Sequence, residues 1–193
     1  MLIYLVRHGQ TDWNAEARLQ GQKDIALNNT GRGQALGNGL KLRRLLASTG
    51  DFDFVSSPLS RTRETMELMR QAMDLPRHGF RLDERLVEIC FGDWEGSTLA
   101  EIQARDPARL AERDADKWNF IPPGDRAESY EILSWRVGSW LKSVESPTIC
   151  TCHGGVIRCI FALIGQVTTA DAAYMDVPQD RILRLTDAGL HWL

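Results

Sequence analysis

The sequence predicts an α/β protein with a mostly parallel central sheet flanked by helices. Three observations carry this. Short apolar runs alternate with segments of helical periodicity along the chain. Two of the runs, Leu2 to Val6 and Thr148 to Cys152, end abruptly in polar, glycine-bearing tips, Arg7-His8-Gly9 and His153-Gly154-Gly155. No internal repeat or low-complexity segment interrupts the alternation.

Strands are expected at Leu2–Arg7, Phe52–Ser56, Thr148–Cys152 and Ile182–Thr186. A turn at Asp187-Ala188-Gly189 then lets Leu190 to Leu193 pair back. The first helix is expected over Gly31 to Ala47, where Gly37 and Gly39 each cost about 1 kcal/mol relative to alanine. Thr62, Met66, Met69 and Met73 recur at helical spacing after Ser60, read as an N-cap. This methionine stripe is read as core filling. Thr98 to Glu101 has the pattern of a capping box, and Asp106-Pro107 that of a helix start. Tyr130, Leu133, Val137, Trp140 and Val144 form a further apolar stripe. Val156, Ile157, Ile160, Phe161 and Ile164 mark a buried helix opened by Gly155. The stretch from residue 94 to 126 carries Pro107, Pro122, Pro123 and many charges, and reads as an insertion or lid within a single domain spanning 1–193.

Composition bounds the function. A net charge of −3 offers no nucleic-acid surface, so any anion site must be local. No apolar stretch approaches the roughly 20 residues that span a bilayer, and the N-terminus lacks the features of a signal peptide. Cys90, Cys150, Cys152 and Cys159 read as reduced, buried cysteines of a cytoplasmic protein. Cys150-Thr151-Cys152 lacks zinc-site spacing, although on a strand the two thiols would share a face.

The chemistry resides in the tips. A cation, an imidazole and a flexible backbone at the end of a buried strand sit where open α/β sheets hold ligands. Two such tips, with arginines beside them, suit a phosphate. Neutral imidazole is a nucleophile near pH 7. Arginine offers paired donors to phosphate oxygens. Gly154 and Gly155 open a helix whose free N–H groups favour an anion.

Five segments together resemble the histidine phosphatase superfamily, also called phosphoglycerate mutase-like. They are R-H-G-Q-T-D-W-N (Arg7 to Asn14), R-L-Q-G-Q-K-D-I-A-L-N-N-T-G (Arg18 to Gly31), S-S-P-L-S-R-T-R-E-T (Ser56 to Thr65), L-V-E-I-C-F-G-D-W-E-G (Leu86 to Gly96) and C-H-G-G (Cys152 to Gly155). The resemblance implies a three-layer sandwich and a metal-independent phosphatase acting on a small phosphorylated metabolite through phosphohistidine, with no cofactor. It implies His8 as nucleophile, Glu88 as acid and base, and Arg7, Arg61 and His153 as holders of the transferring group. Asn14, Gln20, Gly21 and Gly154 match positions that touch phosphate or substrate. The segment favours Arg61 over Arg63, and alignment to the family alone selects Glu88 over Glu84 and Glu95. Trp13, Trp94 and Trp118 are candidates to line the pocket, whereas His78 is read as solvated and His191 as structural.

The family also contains mutases. Only 64 residues separate Glu88 from His153, a short insertion that favours an open site and hydrolysis. Pro123-Gly124-Asp125-Arg126-Ala127-Glu128-Ser129 departs from the family's common P-G-G-E-S. Mutase-type phosphoryl transfer and a non-catalytic phosphate-binding module are the alternatives. The sequence leaves a homo-oligomer open.

Overall fold

A computed structural model describes all residues, Met1–Leu193. Six strands form one mixed sheet: β1 (Ile3–Arg7), β2 (Asp53–Ser56), β3 (Arg81–Leu82), β4 (Thr148–Cys152), β5 (Leu183–Thr186) and β6 (Gly189–Trp192). Their order is β3-β2-β4-β1-β5-β6. Strands β1 to β4 pair in parallel with one another, and β5 and β6 add an antiparallel margin beside β1. The two-residue β3 lies outside the expected strands, since Arg81-Leu82 offers no apolar run to mark it.

The pleat sorts the core into two layers. Ile3 and Leu5 of β1, with Cys150 and Cys152 of β4, face one apolar cluster. That cluster is completed by α6 (Tyr130–Lys142), α7 (Gly154–Leu163) and α8 (Thr169–Tyr174). Tyr4, Val6, Phe54 and Ile149 face the other, against Leu42 of α2 (Asn29–Leu45), which follows the one-turn α1 (Asp12–Ala15), and Met66 and Met69 of α3 (Ser60–Ala72). The methionine stripe is therefore core, and all four cysteines are buried.

Helix starts follow local chemistry, with one correction. Ser129 caps α6 through Oγ, which accepts from Ile132 N–H at 3.2 Å. Thr98 and Glu101 form a reciprocal capping box on α4 (Leu99–Arg105), and Asp106 caps α5 (Pro107–Ala115). Ser60 is not a cap. Leu59 holds that position with no side-chain bond, and Ser60 N–H and Oγ–H both donate to Asp24 Oδ1, at 2.8 and 2.7 Å. A carboxylate from a distant loop thus supplies what the local serine does not.

The stretch 94–126 folds as α4, α5 and their connections around a small apolar cluster. Trp94, Ile102 and Leu110 are buried there beside Leu19, Phe91 and Phe120. Trp94 and Phe120 stack at 5.2 Å.

The parallel register fixes the site. Arg7 pairs with Cys152 across β1 and β4, and His8 N–H continues the ladder to Cys152 O at 3.0 Å. Ser57 N–H donates likewise to Thr151 O at 3.0 Å. His8, Ser57 and His153 therefore leave the sheet side by side. The helices that follow β1 and β4 pack on opposite faces, which opens a crevice at the strand ends.

Candidate active site

His8 is buried, and its Nδ1 lies 2.8 Å from Gly9 O. The carbonyl can only accept, so Nδ1 carries the proton and Nε2 keeps its lone pair. Burial, then Arg61 and Arg7, hold the His8 pKa well below that of an ordinary histidine. The ring is thus neutral and nucleophilic even in mild acid. The loop lies hard against α2: a Cβ on Gly9 would sit 2.2 Å from Gly31 O, so only glycine fits. Gly9 N–H donates to Thr65 Oγ1 at 3.1 Å.

The second imidazole, His153, is fully buried, and its ring centroid lies 5.2 Å from that of His8. Its Nε2 lies 2.8 Å from Ser57 Oγ, and its Nδ1 has no partner. Burial, then Arg61, also depress its pKa strongly.

Two guanidinium groups face this pair. Arg61, at the start of α3, donates from Nη1 to Lys23 O and from Nη2 to Gly21 O, both at 2.7 Å. Arg7 donates from Nη1 to Val177 O at 2.7 Å. Burial, then Arg158, lowers the Arg7 pKa to about 10, which still leaves it charged. The Nε groups of both arginines are buried without partners. An unmet buried donor costs about 1–3 kcal/mol. Two such donors, Arg7 Nε and Arg61 Nε, together with the unpartnered His153 Nδ1, belong to side chains that converge on one crevice, where an oxyanion would satisfy the arginines.

Glu88 stands at the N-terminus of α7. Its Oε2 accepts from Gly155 N–H at 3.1 Å and its Oε1 from Ile89 N–H at 2.9 Å. A Cβ on Gly155 would lie 2.3 Å from Glu88 Oε1, so the glycine clears the carboxylate's place. One of the helix N–H groups expected to face an anion is therefore given to Glu88. The competing carboxylates are occupied or outside: Glu95 Oε1 accepts from Gln22 and Phe91 N–H, and Glu84 is exposed. Arg63, His78 and His191 are also exposed.

The remaining candidates divide. Asn14 braces the loop that follows β1: its Oδ1 accepts from Thr11 N–H at 3.1 Å and from Gln179 Nε2 at 3.0 Å. Gln20 is buried with Oε1 unpartnered, so an acceptor is free there. Gly21 contributes its carbonyl to Arg61. Gly154 lies between Arg7 and Arg158, each 3.6 Å from where its Cβ would be. Of the tryptophans, Trp94 lines a cleft beside Ile89 and Phe91, Trp118 is core against Tyr130, and Trp13 lies against Gly96.

Sequence reasoning misses several supports. Gln179 donates to both His8 O and Asn14 Oδ1 from across the chain, and no local pattern marks it. Arg136 gathers the acid loop, bonding Arg85 O, Val87 O and Glu88 O while paired with Glu128 at 3.0 Å. Its place in an apolar helical stripe is the sole clue, since one charge on the covered side of such a helix asks for a buried partner. Ser57 lies within one of the five family-like segments, but nothing in that segment points to its contact with His153.

Two histidines and two arginines thus meet at the strand ends, an arrangement chemically able to hold and accept a phosphoryl group. Residues 3–191 match the family described as histidine phosphatase superfamily (branch 1), and the chain belongs to it. It is 32% identical over 171 residues to a glucosyl-3-phosphoglycerate phosphatase of Mycolicibacterium vanbaalenii, covering 84% of this chain and 73% of that protein. It is 37% identical over 170 residues to a probable phosphoglycerate mutase GpmB of Citrobacter koseri, covering 84% and 74%. Among solved structures, TTHB049 from Thermus thermophilus superposes with a TM-score of 0.73 at 32% identity, covering 97% of this chain and 94% of that one.

Proposed function

We propose that this protein is a phosphoric monoester hydrolase that cleaves small phosphomonoesters through a phosphohistidine on His8. The observation that carries this is the state of His8: Nδ1–H is bound to Gly9 O, Nε2 is unpartnered, and two arginines with unmet buried donors stand beside it. Nε2 attacks phosphorus, the P–N bond forms and the ester P–O bond breaks. Glu88 gives its proton to the departing alcohol. Water then attacks the phosphohistidine, Glu88 takes its proton, and the P–N bond breaks to return neutral His8 and inorganic phosphate. Arg7, Arg61 and His153 hold the equatorial oxygens, where phosphoryl transfer needs positive charge most. Asn14, Gln20, Gly21 and Gly154 complete the rim, and the 94–126 segment covers the leaving group.

The arginines supply the charge that a metal supplies elsewhere, with the neutral second histidine beside them, so no step is assigned to a metal. No helix is long and apolar enough to cross a membrane. The four buried thiols fit a reducing, cytoplasmic setting.

The test is phosphate release from a panel of small phosphomonoesters in EDTA, wild type beside His8→Ala. Release that persists in chelator and falls by at least about 10³-fold in the variant is the expected outcome. Wild-type rates in His8→Ala would overturn the assignment. Transfer of label between two substrate positions, in place of phosphate release, would favour the mutase reading.

A further inference from the structure

Helix α6 gives Leu133, Val137 and Trp140 to the core, yet its other face holds Trp135, the most exposed large apolar side chain of the protein at 65%. An indole left in water in this way marks a contact surface. Trp135 is also held in place. Its Nε1 donates to Glu131 Oε1 at 3.1 Å, and Glu131 Oε2 accepts from Trp118 Nε1 at 2.8 Å. The ring is thus fixed before any partner arrives, which lowers the entropic cost of contact. Beside it runs an open groove of about 510 Å³ between α6 and α7, lined by Ser134, Trp135, Gly138, Ser139, Lys142 and Leu163. The missing side chain of Gly138 leaves a notch in this groove. A Cβ there would lie 3.6 Å from Leu163 Cδ2, an ordinary contact. Glycine in a helix interior is unfavourable relative to alanine, and nothing within the chain requires it at this place.

The residues of this face are arranged symmetrically along the helix. Glu131 and Lys142, Ser134 and Ser139, and Trp135 and Gly138 are each centred on one point, between Arg136 and Val137. A two-fold rotation through that point, about an axis perpendicular to α6, lays a second α6 antiparallel on the first. It brings Trp135 of one copy over Gly138 of the other and sets the small Ser134 against Ser139. It also turns Glu131 of each copy towards Lys142 of the other. Lys142 is exposed, has no hydrogen bond or ion pair within the chain, and stands about three turns from Glu131 on the same face. Indole against notch and carboxylate against ammonium make the face complementary to itself, as an isologous contact requires. The antiparallel arrangement also opposes the two helix dipoles.

We propose that this face of α6, with Leu163 beside it, is the interface of a homodimer in which Trp135 of each copy fills the Gly138 notch of the other. The occupant is a second copy of this chain because the face matches itself in both charge and shape. The proposal does not depend on the chemistry assigned to His8.

Sedimentation velocity on the full chain, from about 1 µM to about 200 µM, tests it. The expected result is a monomer–dimer equilibrium whose Kd rises at least about tenfold in Trp135→Ser and in Lys142→Glu, both at exposed positions. Gly138→Ala separates association from folding. Its thermal midpoint, taken where wild type is monomeric, should be unchanged or higher, because the Cβ fits and alanine favours helix. Its association should weaken by a similar factor, because the notch is filled. Mixing tests the orientation. Lys142→Glu and Glu131→Lys chains, each checked by thermal midpoint, repel their own kind, but together they restore both facing pairs with the signs exchanged. The mixture should therefore associate more tightly than either variant alone. A wild type that stays monomeric throughout, a dimer that the three single substitutions leave intact, or a mixture of folded variants no tighter than its components would overturn the proposal.

Discussion

The state of single residues decides what this site does and over what range of pH. Desolvation and two arginines keep His8 neutral well below the usual histidine pKa, so the proposed nucleophile does not titrate between pH 5 and 8.

At the scale of elements, sequence statistics and tertiary contact disagree in an instructive way. Gly37 and Gly39 both weaken α2 as an isolated helix by about 1 kcal/mol. In the fold they differ. A Cβ on Gly37 meets nothing within 4 Å, whereas one on Gly39 would lie 2.5 Å from Met69 O and 2.8 Å from Ala72 Cβ of α3. Gly39 is where the two helices touch. Gly37→Ala should stabilise the protein by about 0.5–1 kcal/mol. Gly39→Ala should destabilise it by about 1–3 kcal/mol, because the backbones must separate. Urea midpoints of the two variants check this, and the opposite order would show that α2 and α3 do not pack this way. The same scale explains Ser60 and the short β3. Ser60 looks like a cap by local rule, but Asp24 reaches it from another loop. Strand β3 exists because β2 offers an open edge, not because Arg81 and Leu82 favour extension.

For the whole molecule, the buried histidines tie stability to pH. His8 and His153 have folded-state pKa values depressed well below 6.5, whereas in the unfolded chain they titrate near about 6.5. Below that pH the unfolded state binds protons that the folded state refuses, so stability falls as pH drops from about 7 towards 5 and is fully present above it. Denaturant midpoints across this range should show that slope, and His8→Ala should reduce it. A slope unchanged in the variant would mean that His8 is accessible to protons in the native protein. The cradle's positive charge is local, set in a chain of net charge −3, so added salt should weaken substrate capture little at these buried contacts.

Much of this was legible from residues alone. The apolar run Leu2 to Val6 already marked β1 as a buried strand, and the methionine stripe already named a core helix. The tips Arg7-His8-Gly9 and His153-Gly154-Gly155 announced their chemistry because strand ends and glycine turns are local features. Pairing was not local. That Arg7 stands opposite Cys152, and so His8 beside His153, follows from a parallel register between strands 141 residues apart in the chain from Arg7 to Thr148. Gln179 behind His8, Arg136 behind Glu88, and Asp24 beside Ser60 likewise arise only when distant segments are packed together. Sequence determined the elements and the chemical groups, since propensity, periodicity and side-chain type act within a few residues. Tertiary structure decided which groups share a space, because burial and electrostatic neighbours depend on contacts that no short stretch of chain encodes.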